Sequence, residues 1–252
     1  MLRDFCDLDG YDAAASDESV LSHSQALYSA ALAGKDDIMV GRYVAACRHY
    51  ANHVLPRLIS GPALAGGVSE IHSNADKIAK STALAELRRG STKGTAERTS
   101  GDGGDVLLRD LLVAEASTGI HGLPDAADQS AAMGALWSRR GINMRGAGLH
   151  AKYYELLVGN PECRNDAGAT MRAAFEASHA RYVGWFGRSS FGLATRSMHG
   201  WDRLCQRPRI GSADGVGDED IMRGWTSMAF EVVRRMRETQ AALNLEDTRK
   251  SI

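Results

Sequence analysis

Two pairs of side chains in this sequence have the spacing of metal ligands. His49 and His53 stand four positions apart, as two helical ligands of one ion would. Their neighbours Cys47, Tyr50 and Val54 take the apolar positions of that helix, and no Glu lies between the histidines. The pair is therefore expected on a solvated face. Glu176-Ala177-Ser178-His179 has the Glu-x-x-His spacing of a di-iron bundle, but such a site needs a second copy on a partner helix, and the sequence has none. Neither a glycine-rich phosphate loop after a strand nor a GxSxG nucleophile elbow is present. The expectation is a chain without metal, cofactor or catalytic centre.

The stretch Glu70-Ile71-His72-Ser73-Asn74-Ala75-Asp76-Lys77 is more informative. At about 100° per residue, Glu70, Asn74 and Lys77 share one face of a helix. The apolar stripe of the same helix, Leu64, Val68, Ile71, Ala75 and Ile78, lies about a quarter turn away, so the polar trio sits at the rim of the core. A solvated stripe with a Glu/Lys pairing explains this spacing, and on spacing alone it is the stronger reading. A carboxylate, an amide and an ammonium side by side also supply acceptors and donors together, as gripping a polyhydroxyl or polar headgroup requires. Further along, Met133, Trp137 and Arg140 fall on one side of a helix, where a lone Trp is usually core. Ala174 to Trp185 reads as a helix with an aromatic end, a feature suited to a membrane interface.

The elements that must position these groups are all helical. Ser19 to Ala33 reads as one helix, and a longer one follows Asp36 through Val40, Tyr43, Val44, Cys47, Tyr50, Val54 and Leu58. Pro56 is expected to kink its last turn, and Gly61-Pro62 to stop it. The helix of the polar trio comes next. Arg88 to Gly104 is rich in Gly, Ser, Thr and charge and is expected to be a disordered loop inside one domain. A short helix spans about Asp105 to Ala116, and another starts after Pro124, its second half weakened by Gly141, Gly146 and Gly148. Further helices are expected near Asp166–Trp185, Phe191–His199 and Asp218–Leu243, and no alternating strand pattern competes with them.

Composition narrows the function. Lys and Arg number 30 against 31 Asp and Glu, which excludes the basic footprint of a nucleic-acid binder and a polybasic membrane anchor. Cys6, Cys47, Cys163 and Cys205 are scattered without a CxxC pair, which fits a reducing compartment. No apolar run reaches the roughly 18 residues of a membrane span. The first residues are acidic and lack the apolar core of a signal peptide, and no lipidation signal is evident. A cytoplasmic protein that meets membranes reversibly is expected. Residues 1–17 read as an acidic tail and 18–252 as a single domain.

Taken in order, the three stretches resemble the glycolipid transfer protein family. That family's pattern has an Asp-x-x-x-Asn-x-x-Lys helix, a Leu-Trp-x-x-Arg helix, and an Ala-Tyr/Phe-Glu…Tyr-His-x-Trp helix. Glu70, Asn74 and Lys77 match the first with Glu for Asp, Trp137 and Arg140 match the second, and Ala174, Phe175, Glu176, Tyr182 and Trp185 match the third. Val183 stands where the family has its His. The resemblance runs from about Met39 to His199. It implies an all-α, two-layer sandwich of about eight helices enclosing a lipid pocket, with no enzymatic activity. Glu70, Asn74, Lys77 and Trp137 are then expected at the lipid headgroup, with Arg140 in support. Tyr182 and Val183 fall at the amide region, and Trp185 at the membrane. The expected partner is a glycosphingolipid, carried by a monomer that docks transiently on membranes. A ceramide-phosphate-type carrier and a lipid sensor or adaptor of the same fold are the alternatives.

Overall fold

The computed structural model describes residues 19–34, 36–93, 105–123, 125–153, 166–201, 203 and 218–246. The expected acidic tail lies outside them. Helix α1 (Val20–Ala31) is capped by Ser19, whose Oγ accepts from the Ser22 N–H at 3.1 Å. Helix α2 (Val40–His49) runs into a π-helical turn (Tyr50–Val54) and then a single α-turn, α3 (Leu55–Leu58). This is the form the Pro56 kink takes. Proline has no N–H to return to the preceding turn, and the wider turn ahead of it closes when the Leu55 N–H donates to the Tyr50 carbonyl. Helix α4 (Gly61–Ala79) opens at Gly61, whose φ of 67° suits glycine, with Pro62 in the first turn.

Helix α5 (Thr82–Lys93) extends into the stretch expected to be a loop. Arg88 and Arg89 are good helix formers and continue turns that buried Ala83 and Leu84 anchor, which outweighs Gly90. The rest of that loop, residues 94–104, lies outside the described residues. Helices α6 (Leu108–Ser117), α7 (Ala131–Tyr153), α8 (Ala167–Ser178), α9 (Trp185–Arg196) and α10 (Asp218–Ala242) complete the order. The helix expected over 166–185 is therefore shorter, and the one expected over 191–199 starts earlier, at Trp185. α8 stops at Ser178, a 3₁₀ turn occupies Ala180–Tyr182, and extended Val183 and Gly184 redirect the chain into α9. Among the described residues there are isolated β-bridges and no strand, so the class is all-α.

The axis of the molecule is α7, which packs on α4, α8 and α10, while α1 joins α2 to α10 and α2 lies on α4. One apolar cluster draws on these helices, with Leu21, Tyr43, Ile78, Leu111, Leu136 and Trp225 fully buried in it. The glycines of α7 do not break it: the helix is continuous for 23 residues. Each costs about 1 kcal/mol of helix propensity, but bare backbone lets neighbours press close. A Cβ at Gly134 would stand 2.6 Å from the Asn74 carbonyl oxygen and 2.9 Å from Lys77 Cβ, and one at Gly148 would stand 2.1 Å from Met171 Sδ.

Charged groups fix the ends of these helices. The buried Glu115 of α6 accepts from the Ala131 and Ala132 N–H groups at 2.8 Å each, a carboxylate set on the exposed donors that open α7. Arg235 of α10 donates to the carbonyls of Leu32, Gly34 and Asp37 at 2.8–2.9 Å and so closes the end of α1. Arg139 of α7 grips Glu246 with both arms of its guanidinium.

Candidate functional site

The close crossing at Gly134 sets the polar face of α4 against α7. Asn74 is buried, Lys77 half-buried and Glu70 exposed. None of these three side chains makes a hydrogen bond or ion pair with another described residue. The helical Glu/Lys pairing that spacing alone favours does not form. Asp76, the other acid of the stretch, is spent on Arg48 at 2.9 Å and Lys80 at 2.6 Å, which hold its carboxyl below the usual range despite some loss of water. Glu70 differs. Although its side chain is reachable from solvent, crowding by protein raises its carboxyl pKa, and the charge of Arg145 offsets part of the rise.

Trp137, one turn beyond Gly134 on α7, is half-buried. The buried Arg140 sets its guanidinium carbon 4.8 Å from the Trp137 ring centroid and 3.7 Å from that of Tyr182, which binds α7 to the turn between α8 and α9. These expected residues therefore come together. Val183 does not join them: a Cβ at Gly187 would meet Val183 Cγ1 at 2.3 Å, so the valine side chain lies on the first turn of α9.

Of this region, the sequence reading passed over Arg145 and took His179 only as the histidine of the Glu-x-x-His pair. His179 is buried, with its ring 5.8 Å from Trp137 and 5.6 Å from Phe175 and its Nδ1 without a partner. Burial first, then Arg145 and Arg140, lower its pKa to about 4, outweighing a hydrogen bond with the Arg140 backbone, so the imidazole is neutral at neutral pH. Arg145 folds back along α7 over Gly141 and stacks on Tyr50, its guanidinium carbon 4.6 Å from the ring centroid. A glycine four residues before an arginine on one helix face is the signal for such a folded side chain, visible in the sequence but ambiguous there.

His49 corrects another expectation. It is fully buried, not solvated, because α1 covers that side of α2 and sets His23 at 4.9 Å, with His53 also at 4.9 Å. Burial, then the two neighbouring imidazoles, lower its pKa to about 3. Glu176 is exposed while His179 is buried, so the Glu-x-x-His pair does not converge. Among the described residues no group of three or more His, Cys, Asp or Glu is placed to hold a metal ion. Trp185, at the start of α9, is 79% exposed. No described helix is long and apolar enough to cross a membrane.

The backbone matches solved structures of one fold. The mouse ceramide-1-phosphate transfer protein superposes with a TM-score of 0.64 at 12% identity, over 90% of this chain and 98% of that one. FAPP2, in a structure describing how it selects simple glycosphingolipids with this fold, gives 0.56 at 17% identity, over 85% and 90%. HET-C2, a fungal glycolipid transfer protein, gives 0.55 at 14% identity, over 80% and 84%. The chain thus has the glycolipid-transfer-protein fold. No protein-family model matches its sequence, and no curated protein matches it.

Proposed function

We propose that this protein encloses the chains of a sphingolipid between its helices and carries the lipid from one membrane to another. The observation that carries this reading is the set Glu70, Asn74 and Lys77, which has no partner among the described residues and faces a half-buried Trp137 across the α4–α7 crossing. A buried amide such as that of Asn74 is normally paired, and a bound headgroup supplies the missing partner while engaging Glu70 and Lys77 at the solvent side. The similar structures belong to proteins described as transferring or selecting glycolipids and ceramide-1-phosphate.

The headgroup we favour is a sugar. Trp137 offers an aromatic surface for a sugar ring, Asn74 both donates and accepts, Glu70 accepts from hydroxyls or an amide, and Lys77 and Arg140 donate at the rim. Each CH₂ of the lipid chains removed from water contributes about 0.8 kcal/mol. No bond is made or broken; the work is extraction and delivery by a monomer that touches the bilayer through Trp185. A ceramide phosphate is the second reading, favoured by the cations Lys77 and Arg140 in the same region as Glu70, whose carboxyl pKa is raised by the crowding of protein around it. Competition between labelled glucosylceramide and ceramide-1-phosphate in vesicle-to-vesicle transfer decides between them. The sugar reading expects glucosylceramide to move and the phosphate to move poorly; the reverse order sinks it.

A further inference from the structure

A second polar arrangement joins the π-turn after α2 to α7, about two turns beyond Trp137. Arg145 makes no hydrogen bond or ion pair with the described residues, and its Nε is buried without a partner. Stacking alone holds it. The guanidinium lies on the ring of Tyr50, and the bare backbone of Gly141 gives it room, since a Cβ there would meet Nη2 at 3.3 Å. Tyr50 is itself buried and packed on Trp225 at 5.6 Å, so the platform is rigid. The fork is fixed in place with its donors unused.

Tyr43 stands two turns before Tyr50 on the same side of α2. Tyr43 is wholly buried, and its hydroxyl has no hydrogen-bond partner. Arg145 lies close enough for its charge to bear on Tyr28, Tyr43, Cys47 and Tyr50. Glu70 also feels that charge but forms no ion pair with it. A guanidinium cannot shed its proton, so a half-buried one with its Nε out of reach of water and no ion pair is favoured by a ligand that supplies the anion. The buried phenol of Tyr43, within reach of its charge and without a hydrogen-bond partner, calls for an acceptor from the same source.

We propose that Arg145, with Tyr43 and Tyr50, forms an oxyanion site inside the lipid-enclosing interior, and that its ligand is the acidic group of a lipid. One planar guanidinium matches the two oxygens of a carboxylate, and a phenol O–H adds a third donor, so a long-chain fatty acid lying with its carboxylate inward is the favoured source. The acidic group of a larger sphingolipid offers the same chemistry. The inference rests on the reading that the interior takes lipid chains, and not on which headgroup α4 holds.

The test titrates the full chain with oleate, ceramide-1-phosphate and glucosylceramide, each in detergent, as wild type and as Arg145→Met, Arg145→Lys and Tyr43→Phe. Arg145→Met should lose at least about tenfold in affinity for oleate, the worth of a charge-assisted hydrogen bond. Tyr43→Phe should lose a smaller factor, Arg145→Lys should retain part of the affinity, and glucosylceramide affinity should stay within about twofold in all three. Ligand-free Arg145→Met should melt at a higher temperature than wild type, because an uncompensated charge has been removed. A loss confined to ceramide-1-phosphate also supports the site and assigns its anion to a sphingolipid. If Arg145→Met leaves both acidic lipids unaffected while glucosylceramide binds normally, the oxyanion site is overturned and the carrier reading stands. A lower melting temperature with equal losses for all three lipids overturns it as well, in favour of a structural Arg145. Wild-type protein that binds none of the three overturns the carrier reading and this site together.

Discussion

At the scale of residues, the account turns on whether Trp137 faces a ligand or only fills the core. It is half-buried, with Arg140 over its ring and His179 at 5.8 Å. Trp137→Ala should cost less than the roughly 3–5 kcal/mol of truncating a fully buried Trp, while glucosylceramide affinity falls at least about tenfold. Thermal unfolding and lipid titration on the same variant check this, and a collapse of the fold with no separate binding loss would return Trp137 to the core. The buried imidazoles make a second prediction. His179 and His49 have folded pKa values near 4 and 3, below the ordinary 6.5, so the unfolded chain binds more protons between those values. Their contribution is therefore whole above about pH 6.5 and is lost as pH falls through 4 and then 3, each by up to about 1.4 kcal/mol per pH unit. The melting temperature should fall on acidification below about pH 6.5, and His179→Gln should flatten that fall. An unchanged slope in the variant would show that the imidazole is better solvated than its burial implies. Glu70, Asn74, Lys77, Trp137 and Arg140 were legible as candidates because the ordered set of short motifs singled them out, whereas helical spacing alone left a solvated stripe and a core Trp. His179 and Arg145 were not, because their positions depend on where α8 breaks and on a side chain folding back over Gly141, and periodicity reports neither.

Elements set the distance between the two halves of the site. Nothing at Gly134 can yield easily, since the nearest contact of an added Cβ is the Asn74 backbone oxygen at 2.6 Å. Gly134→Ala should push α4 from α7, destabilise by about 1–3 kcal/mol as overpacking does, and weaken headgroup binding along with it. Gly66→Ala, on the same α4 but with nothing within 4 Å of the new Cβ, should instead stabilise by about 0.5–1 kcal/mol. Melting curves for the pair check the contrast; equal effects would mean that helix propensity and not the crossing governs both. Most helices could be read from the three- and four-residue repeat of apolar positions. The failures have local physical causes. Glycines in α7 look like breakers when counted as propensity, yet they are contact points once α4 and α8 are in place. The π-turn before Pro56 and the extended pair Val183 and Gly184 leave no mark on hydrophobic spacing.

For the molecule as a whole, the proposed function sets two separate tasks, burying lipid chains and meeting a bilayer. Trp185 and Leu193 leave two large apolar side chains of α9 exposed, at 79% and 63%. An exposed indole at a helix start suits the interface between headgroups and hydrocarbon. Trp185→Ala should slow transfer between vesicles several-fold while affinity for detergent-dispersed lipid stays within about twofold, and equal losses in both assays would place Trp185 in binding instead of docking. The all-α class and the helix order were legible in the sequence, and the fold was reached through three motifs whose order mattered more than any one of them. The nature of the cargo was less legible, because a sugar and a phosphate both ask for donors at the same rim. A lipid sensor with this fold would bind without moving its ligand, so transfer itself is the decisive property. The most direct measurement is the movement of labelled glucosylceramide from donor to acceptor vesicles without nucleotide or metal, for the wild type beside Asn74→Leu. The account predicts transfer well above the protein-free rate, reduced at least about tenfold in Asn74→Leu with little change in its melting temperature. Wild-type transfer at the protein-free rate, for glucosylceramide and ceramide-1-phosphate alike, would contradict it.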